Sequence, residues 1–84
     1  MTYVIELTKK ASDYLRSIER VEAERILKRI YALRENPIPH LKKLKGTRLW
    51  RLRIGPHRAI IDVLIKGKRL IVLRIGRRSN LYDR

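Results

Sequence analysis

From Leu49 to Ile75 the chain is built of three stretches of β-formers, about Leu49 to Ile54, Arg58 to Ile65 and Arg69 to Ile75. Only Gly55-Pro56 and Lys66-Gly67-Lys68 separate them, and both segments are turn-like, so the simplest arrangement is an antiparallel meander. Alternation then sorts the side chains onto two faces. Trp50, Leu52 and Ile54 point one way and Leu49, Arg51 and Arg53 the other. In the next strand Ala59, Ile61, Val63 and Ile65 form an unbroken apolar set, with Arg58, Ile60, Asp62 and Leu64 opposite. One face must be covered by something apolar.

The first half supplies that cover. Residues 3 to 7, Tyr-Val-Ile-Glu-Leu, read as a short opening strand. Thr8 can cap a helix whose Ala11, Tyr14, Leu15 and Ile18 follow the i, i+3, i+4, i+7 spacing of one buried stripe. A second helix is expected from about Val21 to Arg34, burying Ala23, Ile26, Leu27, Ile30 and Leu33, until Asn36-Pro37 ends it. Two helices so close in sequence should form an antiparallel hairpin. Residues 38–46 read as a linking segment. The expected fold is α+β, in the order β-α-α-β-β-β: a small antiparallel β-sheet with the N-terminal helical hairpin packed on one face.

At 84 residues and 10.1 kDa, residues 1–84 read as one domain, of a size that buries only about 60–65% of its unfolded surface. With no cysteine, neither disulfides nor thiolate metal sites can form, and His40 and His57 are badly spaced for a metal, so none is expected. No apolar run approaches the roughly 20 residues that span a bilayer, and the N-terminus lacks the layout of a signal peptide. A soluble, cytoplasmic protein is expected. The abundance of Lys, Arg, Ile and Leu with a single Met also suits proteins of hot-living organisms.

Charge is the second constraint. From residue 42 onward there are fourteen Lys and Arg against two acids, a net of +12, whereas the first forty-one residues hold eight bases and six acids, a net of +2. A surface of this kind attracts polyanions, because each neutralised phosphate releases condensed counterions, and RNA or DNA is the first partner to consider. If Gly55-Pro56 is a two-residue turn, Arg53 and Arg58 lie opposite each other, an arrangement that costs up to about 1 kcal/mol in a sheet. A longer loop would shift that pairing and keep the cluster. At the C-terminus, Gly76 is expected to turn the backbone and bring Arg77 or Arg78 back over the sheet, with Tyr82 in reach of the same surface. A tyrosine among arginines can stack on a base or exchange a proton.

The segments Lys43-Leu-Lys-Gly46, Trp50-Arg-Leu-Arg-Ile-Gly-Pro-His-Arg58, Ile75-Gly-Arg-Arg78 and Tyr82, following a short strand and two helices, resemble the RelE/ParE superfamily of toxins over essentially the whole chain. The resemblance implies a toxin that cleaves messenger RNA in the ribosomal A site, needs no cofactor or metal, and is neutralised by a cognate, acidic antitoxin. In that family the 2′-hydroxyl attacks the adjacent phosphodiester, leaving a 2′,3′-cyclic phosphate and a free 5′-hydroxyl. Carried over by position, Arg51 and Arg53 fall where the family often has basic residues, Arg58 and Arg78 match its phosphate-binding arginines, and Tyr82 matches its C-terminal tyrosine. Lys42, Lys43, Lys45, Arg48 and Arg77 are the expected RNA-tracking cations.

The chain departs from that pattern at the proton acceptor. Relatives often carry lysine where it has Arg51 and Arg53, and a guanidinium, which holds its proton throughout the ordinary pH range, is a poor general base. Tyr82, His57 and Lys45 are the candidates, although alternation points His57 away from Arg58. Among the bland assignments, Trp50 reads as core, Tyr14 and Tyr31 as packing or interface residues, His40 as surface, and Asp62 as the partner of a neighbouring arginine. Two other functions share these features: a ParE-like inhibitor of DNA gyrase and a noncatalytic RNA-binding module.

Overall fold

The computed structural model describes residues 2–77. The chain runs β1 (Val4–Leu7), α1 (Lys9–Ser17), α2 (Arg20–Tyr31), a 3-10 turn (Ile38–His40), β2 (Lys42–Lys43), β3 (Trp50–Ile54), β4 (His57–Leu64) and β5 (Arg69–Arg77). Thr8 caps α1 as expected, its Oγ1 accepting from the Ala11 amide at 3.2 Å. Ala11 and Leu15 of α1 and Ile26 and Ile30 of α2 are buried against Leu52, Ile54, Ala59, Ile61, Leu70 and Val72 of the sheet, the face that alternation assigned to the helices. Each large aliphatic side chain in this layer contributes about 1.5–3 kcal/mol.

The second helix stops at Tyr31 rather than Arg34. Its end tightens into i to i+3 bonds, with Leu33 N donating to Ile30 O at 3.0 Å and Arg34 N to Tyr31 O at 3.2 Å. That turn drives Leu33 into the core, and the Tyr3 amide takes the Arg34 carbonyl at 2.9 Å. Linking segment 38–46 likewise holds more order than expected, the 3-10 turn and the two-residue β2.

The sheet order is β1-β5-β4-β3-β2. The meander β3-β4-β5 is antiparallel, β2 adds antiparallel to β3, and β1 joins β5 in parallel from Val4↔Arg69 to Leu7↔Val72. The sheet is therefore mixed, with one parallel edge strand. At the β3-β4 hairpin Ile54 pairs with His57, which leaves Gly55-Pro56 as a two-residue loop with Gly55 at φ +57°. A glycine of positive φ in the first central position is what a type II′ turn needs, and the negative φ of its second position suits proline. Arg53 is thereby held opposite Arg58.

An arginine face as the candidate functional site

Residues paired across neighbouring strands share a face, so the register defines the surface away from the helices. One row runs Arg53, Arg58, Gly76 across β3, β4 and β5. The next runs Lys42, Arg51, Ile60, Arg74 across β2 to β5. Asp62 lies one step further along β4 and binds Arg48 at 2.6 Å, so the expected partner of Asp62 is found and one expected RNA-tracking cation is already engaged.

Arg58 is the unusual member. The residue is only 7% exposed, its Nε has no hydrogen-bond partner, and one terminal nitrogen makes a long 3.5 Å bond to the His57 carbonyl. No carboxylate pairs with it among the described residues, and Arg53 stands directly opposite. A buried cation costs several kcal/mol unless it is paired and hydrogen-bonded. Here the neighbouring charge is of the same sign. The arrangement is one that an incoming anion would complete.

The adjacent residue shows the opposite treatment. His57 points to the helix face and is 2% exposed, with both ring nitrogens engaged: Nδ1 lies 3.0 Å from the Tyr14 hydroxyl and Nε2 3.2 Å from Glu22 Oε1. A carboxylate only accepts, so in the neutral ring Nε2–H donates to Glu22 and Nδ1 accepts from Tyr14. His57 thus ties α1 and α2 to β4, on the side of the sheet away from Arg58. Tyr14 packs on the core as expected, and Tyr31, 44% exposed, has the Arg34 guanidinium 5.5 Å from its ring centre.

Of the other expected site residues, Arg51 and Lys42 join the arginine face. Lys43 does not, because it pairs with Trp50 on the helix side, where its ammonium sits 5.4 Å from the indole centre. Trp50 is half-buried there rather than inside the core cluster. Lys45 lies in the loop joining β2 to β3, next to Gly46 at φ +77°. Gly76 makes no turn: β5 continues through it to Arg77, which pairs with His57 on the helix side. Arg78 and Tyr82 lie outside the described residues.

Arg74 was not anticipated. Strict alternation puts it in line with Leu70 and Val72, on the core face. A β-bulge intervenes, since Ile61 pairs with Val72 while Ile60 pairs with Arg74, leaving Leu73 as the extra residue. Bulges of this type re-aim a side chain. The available signal was the arginine itself, a charge at a position where the period calls for a core residue.

This fold has known relatives. The profile of the family described as ParE toxin of type II toxin-antitoxin system, parDE, matches residues 5–82. The chain belongs to the RelE/ParE toxin family. It is 30% identical over 87 residues to the putative toxin RelE1 of Methanocaldococcus jannaschii, an alignment covering 98% of this chain and 97% of that protein. A chain of the archaeal RelE–RelB complex from Pyrococcus horikoshii OT3 superposes with a TM-score of 0.81 at 30% identity, covering 94% and 98% of the two chains. The fold is shared further, with a TM-score of 0.85 at 17% identity to the RelBE2 toxin-antitoxin complex of Mycobacterium tuberculosis, covering 93% of this chain and 100% of that one. The protein is accordingly a toxin of a type II toxin-antitoxin system. Among the described residues of this toxin, no helix is long and apolar enough to cross a membrane.

Proposed function

We propose that this toxin is a ribosome-dependent endoribonuclease that cleaves translated messenger RNA through its arginine face. The observation that carries the reading is Arg58, a buried guanidinium with an unpartnered Nε and a second arginine opposite it. In the reaction the 2′-oxygen loses its proton and bonds to phosphorus, the bond from phosphorus to the 5′-oxygen breaks, and that oxygen takes up a proton. Arg58 and Arg53, with Arg51 in the next row, stabilise the negative charge that builds on the phosphorane. Such preorganised donors are worth most where water is excluded. Arg78 is assigned to the same phosphate.

Proton transfer is assigned to Tyr82, with Lys45 as the alternative. His57 is set aside: it faces the helices and both its ring nitrogens are occupied. Lys42 tracks the RNA backbone beside Arg51, and Arg48 does so with the guanidinium N–H groups that are not bonded to Asp62. An acidic antitoxin of the RelB kind, as in the P. horikoshii complex, suits this surface, because its carboxylates would neutralise the arginines.

A second reading, inhibition of DNA gyrase, is favoured by the ParE description of the matching profile. Expression under tight control, with messenger RNA ends mapped by primer extension in the presence and absence of ribosomes, separates the two. The expected outcome is breaks inside translated codons that vanish in Arg58→Ala and Arg78→Ala and slow in Tyr82→Phe. Intact message with accumulating cleaved DNA would replace the nuclease with the gyrase inhibitor. Intact message and intact DNA would leave a noncatalytic RNA-binding module.

A further inference from the structure

Gly76 sits inside β5, opposite Arg58, and is buried. Its presence there is not explained by the backbone. Positive φ occurs at Gly46, Gly55 and Lys68 among the described residues, and Gly76 is not one of them, so its strand conformation is open to any L-residue. Glycine in a strand interior weakens the sheet, and it commonly marks a place where a ligand or another backbone comes close. Directly beside the unpaired Arg58 guanidinium, then, the sheet carries a position with no side chain.

The bulge brings a second cation beside that position. With Leu73 as the extra residue, Arg74 pairs with Ile60 on the arginine face and becomes the diagonal neighbour of Arg58, at about 7–8 Å in ordinary sheet geometry. The bulge is anchored: Thr8 Oγ1 donates to the Leu73 carbonyl at 2.7 Å, and the Thr8 amide donates to the Val72 carbonyl at 3.1 Å. Pairing with β1 ends at Val72, so Arg74 stands on the edge of the sheet, exposed and without an ion-pair partner among the described residues. It borders a groove of about 680 Å³ between α1 and the end of β5. The carboxylate in that groove, Asp13, is already engaged by Lys9 at 2.9 Å and Arg16 at 2.7 Å.

We propose that the notch over Gly76 is a phosphate seat, closed on one side by buried Arg58 and open at the sheet edge, where Arg74 is a further guanidinium on the same phosphate. The proposal rests on the nuclease reading and adds to it a phosphate-binding residue and the reason for a glycine. Two guanidiniums converging on one phosphate also explain why a bulge is built into the strand next to Arg58.

The test uses the full chain and compares Arg74→Ala, Arg74→Lys, Gly76→Ala and Gly76→Val with Lys66→Ala, which removes a cation at the far end of the β4-β5 hairpin. Cleavage of message on programmed ribosomes should fall about 10–100-fold in Arg74→Ala, recover in part in Arg74→Lys, and fall further in Gly76→Val than in Gly76→Ala, while Lys66→Ala stays within about twofold. Thermal melts of the Gly76 variants should be no lower than the parent's, because both new residues accept an extended backbone; if valine unfolds the chain, alanine carries the test. In parallel, affinity for a short single-stranded RNA is titrated against salt, where Arg74→Ala should reduce the slope of log K by about 0.7 and Lys66→Ala should not. Parent-like cleavage by Arg74→Ala and both Gly76 variants, with Arg58→Ala inactive, overturns the seat and leaves the nuclease standing. If the parent itself fails to cleave, the nuclease reading falls. The salt titration then decides the seat alone, and an unchanged slope in Arg74→Ala sinks it.

Discussion

His57 and Arg58 are neighbours on one strand, both buried, and they teach opposite lessons about the two faces of the sheet. On the helix side the imidazole bonds Tyr14 and Glu22 and leaves no ring nitrogen unmatched. On the other side the guanidinium keeps an orphaned Nε and faces Arg53. A fold able to satisfy one buried polar group so fully, one residue away, has no general difficulty doing so. The difference marks the helix face as structure and supports the proposed role of Arg58 as the seat of an anion from outside.

The largest expected effect breaks that contrast in one residue. Arg58→Ala should lower ribosome-dependent cleavage by about 10²–10³-fold, the usual cost of losing one preorganised donor to a developing charge. Its melting temperature should stay level or rise, since an unpaired buried cation goes with it. His57→Ala should behave inversely. Stranding Glu22 and the Tyr14 hydroxyl and opening a cavity should cost about 2–3 kcal/mol by urea titration, with cleavage close to parental wherever the variant is folded. If both substitutions destabilise and only His57→Ala loses activity, the assignment of the two faces is reversed.

The same contrast explains what could be read from the sequence. Period-2 alternation separates Leu52, Ile54, Ala59 and Ile61 from Arg51, Arg53 and Arg58 without coordinates, and the Gly55-Pro56 loop sets their register. Alternation fails where a strand gains a residue, which hides Arg74: the Leu73 bulge depends on a clamp from Thr8, sixty-five positions away, whereas the turn expected at Gly76 rests on glycine's backbone freedom alone. Lys43 was misplaced for a related reason. A two-residue strand has too little pattern to show its face, and pairing with Trp50 decides it.

A smaller effect tests how firmly the edge strand is attached. Glu6 of β1 receives two hydrogen bonds from Arg69 of β5, at 2.9 and 2.8 Å, and these hold its carboxyl below the ordinary glutamate range. A group depressed in the folded state contributes stability above its unfolded pKa and loses it as pH falls through the folded value. The Glu6 contribution is therefore complete at neutral pH and fades as acid protonates the carboxylate below the ordinary glutamate range. Melting temperatures measured from pH 7 down to pH 3 should fall less steeply in Glu6→Gln than in the parent. Parallel curves would mean that the pair, exposed to solvent, adds nothing to the junction of β1 and β5.

The smallest effect concerns the end of the β4-β5 hairpin furthest from Arg58. In the β4-β5 loop the left-handed residue is Lys68, at φ +55°, and not the adjacent Gly67, because the bond from Lys68 N to Ile65 O at 3.3 Å closes the turn one residue earlier than the glycine would suggest. A non-glycine residue in that conformation costs about 1 kcal/mol. Lys68 recovers part of it by placing its ammonium 5.1 Å from the Tyr3 ring centre, a contact worth about 0.5–1 kcal/mol at an exposed site. Lys68→Gly removes both terms, so its melting temperature should move by no more than a few degrees. Lys68→Asn keeps a residue tolerant of positive φ and loses only the cation. A clear drop in Lys68→Asn together with an unchanged Lys68→Gly would show that strain and cation contact are balanced at this corner of the hairpin.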